Sequence, residues 1–378
     1  LLVFGRVVQA VGTAIMTPLL MTTVMNLVPA QSRGQVMGNI SIVISVAPAL
    51  GPTISGFILN TLGWRYLFIL ILPIALLALA VGYRWMKNVT EPRYAPIDLP
   101  SVALTVPAFG GLVYGLSLFG EPEAERFMQP MIPLAIGIVT LTIFVFRQLS
   151  LQKNDKALLD LRTFKTRIFT VALTMMAISM MALFGTIILL PIYLQNVLGV
   201  DALTTGLLLL PGGLIMGLLA PFVGRWYDKH GARILLIPGS ILVSGVLWAM
   251  TLLSQDTSIW NILAGHIVLS LGLALIFTPL FTSSLGALPP QLYAHGSAVI
   301  GSIQQVAGAA GIALFVALMS IGIATLSAEG LPLLDATAGG IRVAFTCGAA
   351  ISLLMIVCAF FVRRPPPQEG MEAMQGGH

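Results

Sequence analysis

The chain has 378 residues, of which 57% are hydrophobic and only 9% charged, and its net charge is +5. A soluble domain carries about 25% charged residues, so this composition predicts a membrane protein with many spanning helices. The small net charge gives no basis for nucleic-acid binding. Cys347 and Cys358 lie in the last apolar run, too far apart to meet within one straight helix, and we interpret them as small apolar residues.

Apolar runs of about 20 residues mark candidate spanning helices, because that length crosses the hydrocarbon core of a bilayer. Eleven such runs are present, at 1–27, 36–60, 65–86, 98–119, 129–149, 168–197, 203–224, 233–253, 259–284, 297–324 and 340–362. The fold class that they predict is an all-α polytopic membrane protein.

The loops between these runs alternate in charge. The basic ones are 84–94, 147–167, 224–233 and the tail from Arg363, and the short or acidic ones are 120–127, 199–202, 254–258 and 327–340. Cytoplasmic loops carry the excess of Lys and Arg. We therefore predict a multi-pass protein of the plasma (inner) membrane, with its C-terminus in the cytoplasm and its first residue outside.

An internal repeat relates the first three runs to the last three. The segment "GRVVQAVGTAIM" from Gly5 is similar to "GHIVLSLGLALI" from Gly265, and "VAPALG" from Val46 is similar to "VAGAAG" from Val306, both at a separation of 260 residues. Repeated six-helix halves are typical of major facilitator transporters. The three runs from 168 to 253 have no upstream partner, and the chain opens inside an apolar run without Met, so we expect an N-terminally truncated form of an inferred fourteen-helix protein.

The repeat predicts five parts. They are the last three helices of an N-terminal half (1–97), two extra linker helices (98–149), a cytoplasmic connector (150–167), a complete six-helix C-terminal half (168–362) and a cytoplasmic tail (363–378). In the connector, Leu158, Leu161 and Phe164 recur every three residues, which predicts a short interfacial helix.

Arg6 and Gln9 place polar groups inside the first apolar run. A charged side chain at membrane depth is costly and normally faces a wet cavity or a partner. An arginine can also hold a neighbouring carboxylate ionised. The alternative is an arginine that reaches the membrane surface from a helix end.

The second run contains the stretch "SVAPALGPTISGFIL" from Ser45 to Leu59. Proline bends a helix and frees a carbonyl group, which a membrane tolerates where neighbours satisfy that group again. Gly38, Gly51, Pro52 and Gly56 are thus candidates for a close helix contact. Generic packing of small residues is the alternative.

The segment "GRWYDKHGAR" joins the seventh and eighth runs. Gly231 can supply a turn conformation. Asp228 precedes the predicted start of the eighth helix, where the helix dipole favours an anion. The alternative for this segment is an ordinary charged turn.

These segments resemble the major facilitator superfamily and, within it, the fourteen-helix drug:proton antiporters related to EmrB and QacA. Residues 2–14 are similar to the fourth-helix motif l-x-x-x-R-x-x-q-G-x-g-a-a, with Ala10 in place of a glycine, and the resemblance implies that Arg6 and Gln9 assist proton transfer. Gly38, Gly51, Pro52 and Gly56 fit the fifth-helix antiporter motif, which implies export. Gly224, Asp228, Lys229, Gly231 and Arg233 fit the cytoplasmic-loop motif, which implies a gate latch.

Four further polar residues are candidates for the wall of a substrate cavity. They are Gln195, His266, Gln304 and Gln305, of which His266 occupies the repeat position of Arg6. A packed histidine and glutamines that bond between helices are the alternatives.

All fourteen acidic residues lie in loops or at the ends of runs, so no membrane carboxylate is available to carry a proton. The resemblance places such a residue in the first helix, within the segment that we expect to be absent. No nucleotide-binding loop, metal-ligand spacing or catalytic constellation occurs, so we predict neither an enzyme nor a cofactor.

The predicted function is proton-coupled efflux of drugs or other amphipathic organic compounds by alternating access. Its partners would be a small-molecule substrate, protons and the lipid bilayer, and the sequence identifies no periplasmic adaptor. The alternatives are an importer of a small nutrient or metabolite and a transporter-like sensor.

Overall fold

The structure, a computed structural model, describes residues 2–86, 98–118 and 128–362, and within them it contains eleven α-helices and no strand. The helices are α1 (Leu2–Leu27), α2 (Arg33–Thr61), α3 (Arg65–Trp85), α4 (Leu99–Leu118), α5 (Met128–Leu151), α6 (Arg167–Asn196), α7 (Ala202–His230), α8 (Arg233–Met250), α9 (Ile259–Gly286), α10 (Tyr293–Ala328) and α11 (Leu333–Ala359). Each overlaps a predicted apolar run, although α7 continues six residues beyond its run and α11 begins seven residues before its run. Ten helices of the described residues are long and apolar enough to cross a membrane, which confirms the predicted fold class.

Local chemistry sets several of the helix ends. The Asp201 carboxylate accepts a hydrogen bond from the N–H of Thr204 (3.0 Å) and caps α7 at its start. At the other end of α7, Gly231 has φ +83°, a conformation that favours glycine. The turn that the sequence predicted for Gly231 is therefore present.

The densest core lies among α6, α8, α9, α10 and α11. Phe315 of α10 and Phe345 of α11 are buried and meet edge to face at 6.1 Å between ring centroids. A Cβ on Gly185 of α6 would lie 2.7 Å from the Phe315 ring, and one on Gly348 would also collide with it. The absence of side chains at these glycines therefore makes room for the aromatic pair.

The 260-residue offset reappears in the helix boundaries. The 3₁₀ helix Ala30–Ser32 leads into α2 at Arg33, and the 3₁₀ helix Pro290–Leu292 leads into α10 at Tyr293. Both starts are therefore separated by 260 residues. The helix starts therefore share the offset of the sequence repeat, and the division into two halves stays a prediction.

The helices α4 and α5 form a hairpin with closely packed backbones. A Cβ on Gly111 would lie 2.7 Å from the carbonyl oxygen of Pro133, and one on Gly115 would lie 2.8 Å from the backbone nitrogen of Leu134. The hairpin packs through α4 against α10. The connector that follows contains a 3₁₀ helix at Leu161–Lys165, which suits the three-residue spacing seen in the sequence.

Candidate functional site

The helices α2 and α7, one from each predicted half, pack against each other along a line of small residues. This contact, the α2–α7 seam, consists of Gly34 and Gly38 on α2 and Gly217, Ala220 and Gly224 on α7. A Cβ on Gly224 would collide with the carbonyl of Gly34, and a Cβ on Gly38 would collide with the carbonyl of Ala220. Small residues therefore bring the two backbones into direct contact.

Asp228 closes one end of this seam. Its Oδ1 accepts a hydrogen bond from the N–H of Gly34 and its Oδ2 accepts one from the N–H of Gln35, both at 2.8 Å. These are N–H groups of the first turn of α2, which have no acceptor within their own helix, and the helix dipole favours an anion there. We call this arrangement the Asp228 latch, and the end of the bundle where it lies the latch end.

The partner of Asp228 differs from the one that the sequence predicted. The sequence placed Asp228 just before α8, whose dipole it would stabilise, but Asp228 lies in the last turn of α7 and caps α2 instead. The dipole argument was right and the choice of helix was wrong, because the neighbour in space is almost 200 residues away along the chain. The other motif residues lie around the latch: Gly224 is in the seam, Lys229 is exposed, and the Arg233 guanidinium stacks on Phe360 at 5.5 Å.

A buried arginine beside the latch was missed by the sequence analysis. Arg33 is 4% exposed and donates to the carbonyl oxygens of Met25 (2.8 Å) and Val28 (3.1 Å) at the end of α1. Its guanidinium lies 5.8 Å from the ring centroid of Tyr293, the first residue of α10. Arg33 and Tyr293 are separated by 260 residues and therefore occupy equivalent positions of the repeat. This offset was the signal in the sequence that could have predicted their contact.

Two hydrogen bonds between hydroxyl groups also join the predicted halves at the latch end. Thr278 of α9 donates to Ser41 of α2 (3.2 Å), and Thr22 of α1 lies 3.4 Å from the hydroxyl of Ser297 of α10. Ser41 and Thr278 are both buried. The latch end is therefore closed by polar contacts as well as by packing.

The predicted proton-coupling residues are adjacent in the structure. Arg6 donates to the side-chain oxygen of Gln9 (2.9 Å), and its guanidinium lies 5.0 Å from the ring centroid of Phe68 on α3. No carboxylate lies within ion-pair distance of Arg6 in the part of the chain that the structure describes. Arg6 is thus held by an amide and an aromatic ring.

His266 occupies the corresponding position of α9 and packs against α7. Its Nε2 lies 3.1 Å from the carbonyl oxygen of Leu209, whereas its buried Nδ1 has no hydrogen-bond partner among the described residues. A Cβ on Gly212 would lie 2.5 Å from the imidazole ring and 2.6 Å from the hydroxyl of Ser270. Gly212 therefore creates the space that the ring fills.

The other candidate cavity residues lie on different helices. Gln195 is exposed near the end of α6, Gln304 is half-buried in α10, and Gln305 is exposed there. The structure gives no contact that joins these three to His266, and a shared substrate cavity remains a prediction.

The residues of the antiporter motif differ in their surroundings. Gly38 lies in the α2–α7 seam, but a Cβ on Gly51 would meet no atom within 4 Å. The helix α2 continues through the motif to Thr61. The surroundings of Pro52 and Gly56 are outside what the structure describes.

A chain of polar contacts links the extra hairpin to α10. Gln148 of α5 donates to Ser101 of α4 (2.7 Å) and accepts from the N–H of Leu159 (3.1 Å) in the connector. The next N–H, of Asp160, donates to Nδ1 of His295 in the first turn of α10 (3.2 Å). The hairpin and the connector are therefore attached to α10 near the latch end.

Asp160 also forms hydrogen bonds and an ion pair with Arg162 inside the connector. Burial raises the pKa of its carboxyl, but hydrogen bonds from the side chain and the N–H of Arg162 outweigh burial and bring the pKa below its ordinary value. The carboxylate therefore stays ionised at neutral pH, and Arg162 also pairs with Asp155 at 2.5 Å.

A multi-pass helical bundle whose predicted halves meet along a line of small residues is typical of a secondary transporter. The family model for the Major Facilitator Superfamily matches residues 1–312. The chain therefore belongs to the major facilitator superfamily and is a membrane transporter rather than an enzyme.

Curated relatives match nearly the whole chain. A protein of Listeria monocytogenes named lincomycin resistance protein LmrB is 39% identical over 369 residues, which cover 96% of this chain and 78% of the relative. The LmrB protein of Bacillus subtilis is 36% identical over 96% of this chain and 77% of its own length. A Clostridioides difficile protein named riboflavin transporter RibZ is 28% identical over 83% of this chain and 67% of its own length.

Proposed function

We propose that this transporter exports drugs or other amphipathic organic compounds from the cytoplasm across the plasma membrane, in exchange for protons. The observation that carries the proposal is the Asp228 latch between the predicted halves. It is a contact that one conformation makes and another must break, as alternating access requires. The similarity to two proteins named for lincomycin resistance supports a drug as the substrate class.

The basic loops support a cytoplasmic location for the latch end and for the C-terminus. With that orientation, the structure represents a state that is closed towards the cytoplasm. Substrate would bind near the middle of the membrane between the halves, with Gln195, His266, Gln304 and Gln305 as candidate wall residues. Rocking of the halves would then open the latch end.

Proton coupling is proposed to involve Arg6 and Gln9. The Arg6–Gln9 hydrogen bond orients the guanidinium within an apolar helix, where a charge is functional by default. A carboxylate brought near Arg6 would be held ionised until substrate or a proton competes for it. His266, with one unpartnered ring nitrogen, is a second candidate for a proton-accepting group.

Drug accumulation in an efflux-deficient bacterial strain tests the proposal. Cells that express the full-length protein should accumulate less lincomycin or cationic dye than vector cells, and a protonophore should remove the difference. Arg6→Gln should also remove it, whereas Arg65→Gln, at the start of α3, serves as the matched control. Equal accumulation across a broad compound panel, with and without the protonophore, would contradict drug export.

Nutrient import is the second candidate function, and the similarity to a protein named riboflavin transporter suggests a vitamin as its substrate. Uptake of radiolabelled riboflavin into a riboflavin-requiring strain separates the two functions. Growth rescue and uptake without any change in drug accumulation would favour import over export.

A further inference from the structure

A cavity of about 650 Å³ lies at one end of the extra hairpin, away from the residues discussed for transport. It is lined by Pro100, Ala103 and Leu104 of α4 and by Ile143, Arg147, Ser150 and Leu151 of α5. At 1.5 Å per residue, Leu104 lies only about 8 Å from the start of α4. In a hairpin that spans the membrane, this end is at the depth of the lipid headgroups and the first carbons of their chains.

The cavity opens at the surface of the described helices. Pro100, Ala103 and Ser150 are exposed, and Ile143 is 49% exposed. Most of its wall is apolar, which suits an acyl chain rather than water.

Arg147 places one fixed guanidinium in this apolar wall, and the carboxylate of Asp98 balances its charge. Its Nε and Nη2 donate to the two oxygens of Asp98 at 2.7 and 2.8 Å, which holds the guanidinium in place. Its Nη1 has no acceptor among the described residues, and 37% of its side chain is exposed. Nη1 is thus free to donate to an anion from outside the protein.

The connector that begins beside the cavity adds positive charge. Lys153, Lys156 and Lys165 follow within 18 residues of Arg147 along the sequence, and the connector carboxylates of Asp155 and Asp160 are both paired with Arg162. Basic pockets between helices at a membrane surface are the sites that bind anionic lipid headgroups.

We propose that this cavity binds an anionic glycerophospholipid, with an acyl chain along Ala103, Leu104 and Ile143 and the phosphate beside Arg147 and Ser150. The lipid would lie in the leaflet that faces the connector. Because Gln148 and Leu159 join the hairpin to the connector, the bound lipid would brace that junction. The proposal rests on the membrane location of the hairpin and not on the direction or substrate of transport.

Photo-crosslinking tests the site directly. The full-length protein is reconstituted in phosphatidylcholine vesicles that contain phosphatidylglycerol with a diazirine on its acyl chain, and crosslinked peptides are mapped after illumination. Label is expected on residues 99–104 and 143–151, and unlabelled phosphatidylglycerol should compete for it at least about fivefold better than phosphatidylcholine, the effect of about one charge near a membrane surface.

Two variants separate shape from charge. Ala103→Phe adds a ring to the wall of the cavity and should reduce the label, whereas Val106→Phe, at a site that is 72% exposed on the same helix, should not. The double variant Asp98→Asn/Arg147→Gln keeps a neutral hydrogen-bonding pair but removes the guanidinium that donates to the phosphate, and it should also reduce the label. Undiminished label in Ala103→Phe, or equal competition by both lipids in the unmodified protein, would overturn the proposal.

Discussion

At the scale of single residues, Asp228 occupies a position that its own helix does not favour. It lies in the last turn of α7, where the helix dipole favours cations such as the neighbouring Lys229. The carboxylate is stabilised instead by the start of α2, through the N–H groups of Gly34 and Gln35. Its stabilisation therefore depends on the two helices staying together, which makes it sensitive to the conformational state.

Replacing Asp228 should loosen the latch end. An N-terminal cap contributes about 1 kcal/mol, so Asp228→Ala should shift the balance towards an open latch end by about fivefold. A cysteine at Ser41, which is buried against α9, should then react faster with a membrane-impermeant thiol reagent in inverted vesicles. The experiment uses a protein in which Cys347 and Cys358 are replaced by serine, so that the reagent reports only on the cysteine at Ser41.

The matched control for the latch is Asp201→Ala. Asp201 also caps a helix, through the N–H of Thr204, but it caps its own helix α7 at the opposite end. Equal reactivity of the Ser41→Cys probe with and without the Asp228→Ala replacement would show that the cap does not hold the latch end closed. An equal increase for Asp201→Ala would show general loosening.

At the scale of helices, two glycines of one motif should behave differently. A Cβ on Gly38 would collide with the carbonyl of Ala220 and lie 2.9 Å from the Cα of Pro221, so Gly38→Ala forces α2 and α7 apart. Overpacking of this kind costs about 1–3 kcal/mol. Gly38→Ala should therefore lower the melting temperature of the purified protein and reduce transport.

Gly51→Ala is the control for Gly38→Ala, because open space surrounds Gly51 in this state. Its melting temperature should equal that of the unmodified protein. If Gly51→Ala nonetheless stops export, Gly51 is needed in another conformation, as the antiporter motif implies. A larger loss of stability for Gly51→Ala than for Gly38→Ala would contradict the helix contact described for the α2–α7 seam.

The contribution of the Asp98 carboxylate to the stability of the extra hairpin should depend on pH only under acidic conditions. The Arg147 side chain, and next the hydroxyl of Ser101, donate to the Asp98 carboxylate and hold its pKa well below the ordinary value of 3.8. Because the pKa is lower in the folded protein, the stabilisation is fully present above pH 3.8 and is lost as the pH falls through the depressed value.

Thermal unfolding measures this dependence. Asp98→Asn should lower the melting temperature by a constant amount from about pH 8 to pH 5, and the difference should shrink below about pH 4. Asp256→Asn, at an exposed loop carboxylate, is the control variant measured in parallel. A difference that changes between pH 8 and 5 would mean that another group governs the hairpin.

The helices could be predicted from the sequence far better than the contacts between them. Span length and loop charge determine where each helix lies, because the bilayer imposes both. Which face of a helix meets which neighbour depends on packing across the bundle. Asp228 was therefore identified as a site residue without its partner α2, and Gly38 could not be distinguished from Gly51.

At the scale of the whole molecule, the described polar contacts between the predicted halves lie at one end. The Asp228 latch joins the end of α7 to the start of α2, the Thr22–Ser297 contact joins the end of α1 to the start of α10, and the Arg33–Tyr293 stacking joins the starts of α2 and α10. A transporter closed at one end by such contacts can open there only by breaking them together. The proposed cycle therefore requires that Thr22 and Ser297 separate in every turnover.

A disulfide across that contact tests the requirement. The two hydroxyl oxygens lie 3.4 Å apart, so cysteines at Thr22 and Ser297 are within reach of a bond. Oxidation of the Thr22→Cys/Ser297→Cys variant, in the background without Cys347 and Cys358, should abolish transport, and a reductant should restore it. Each single variant, treated with the same oxidant, should keep its activity. Transport that continues in fully crosslinked protein would mean that the latch end stays closed during the cycle, and alternating access through this end would be wrong.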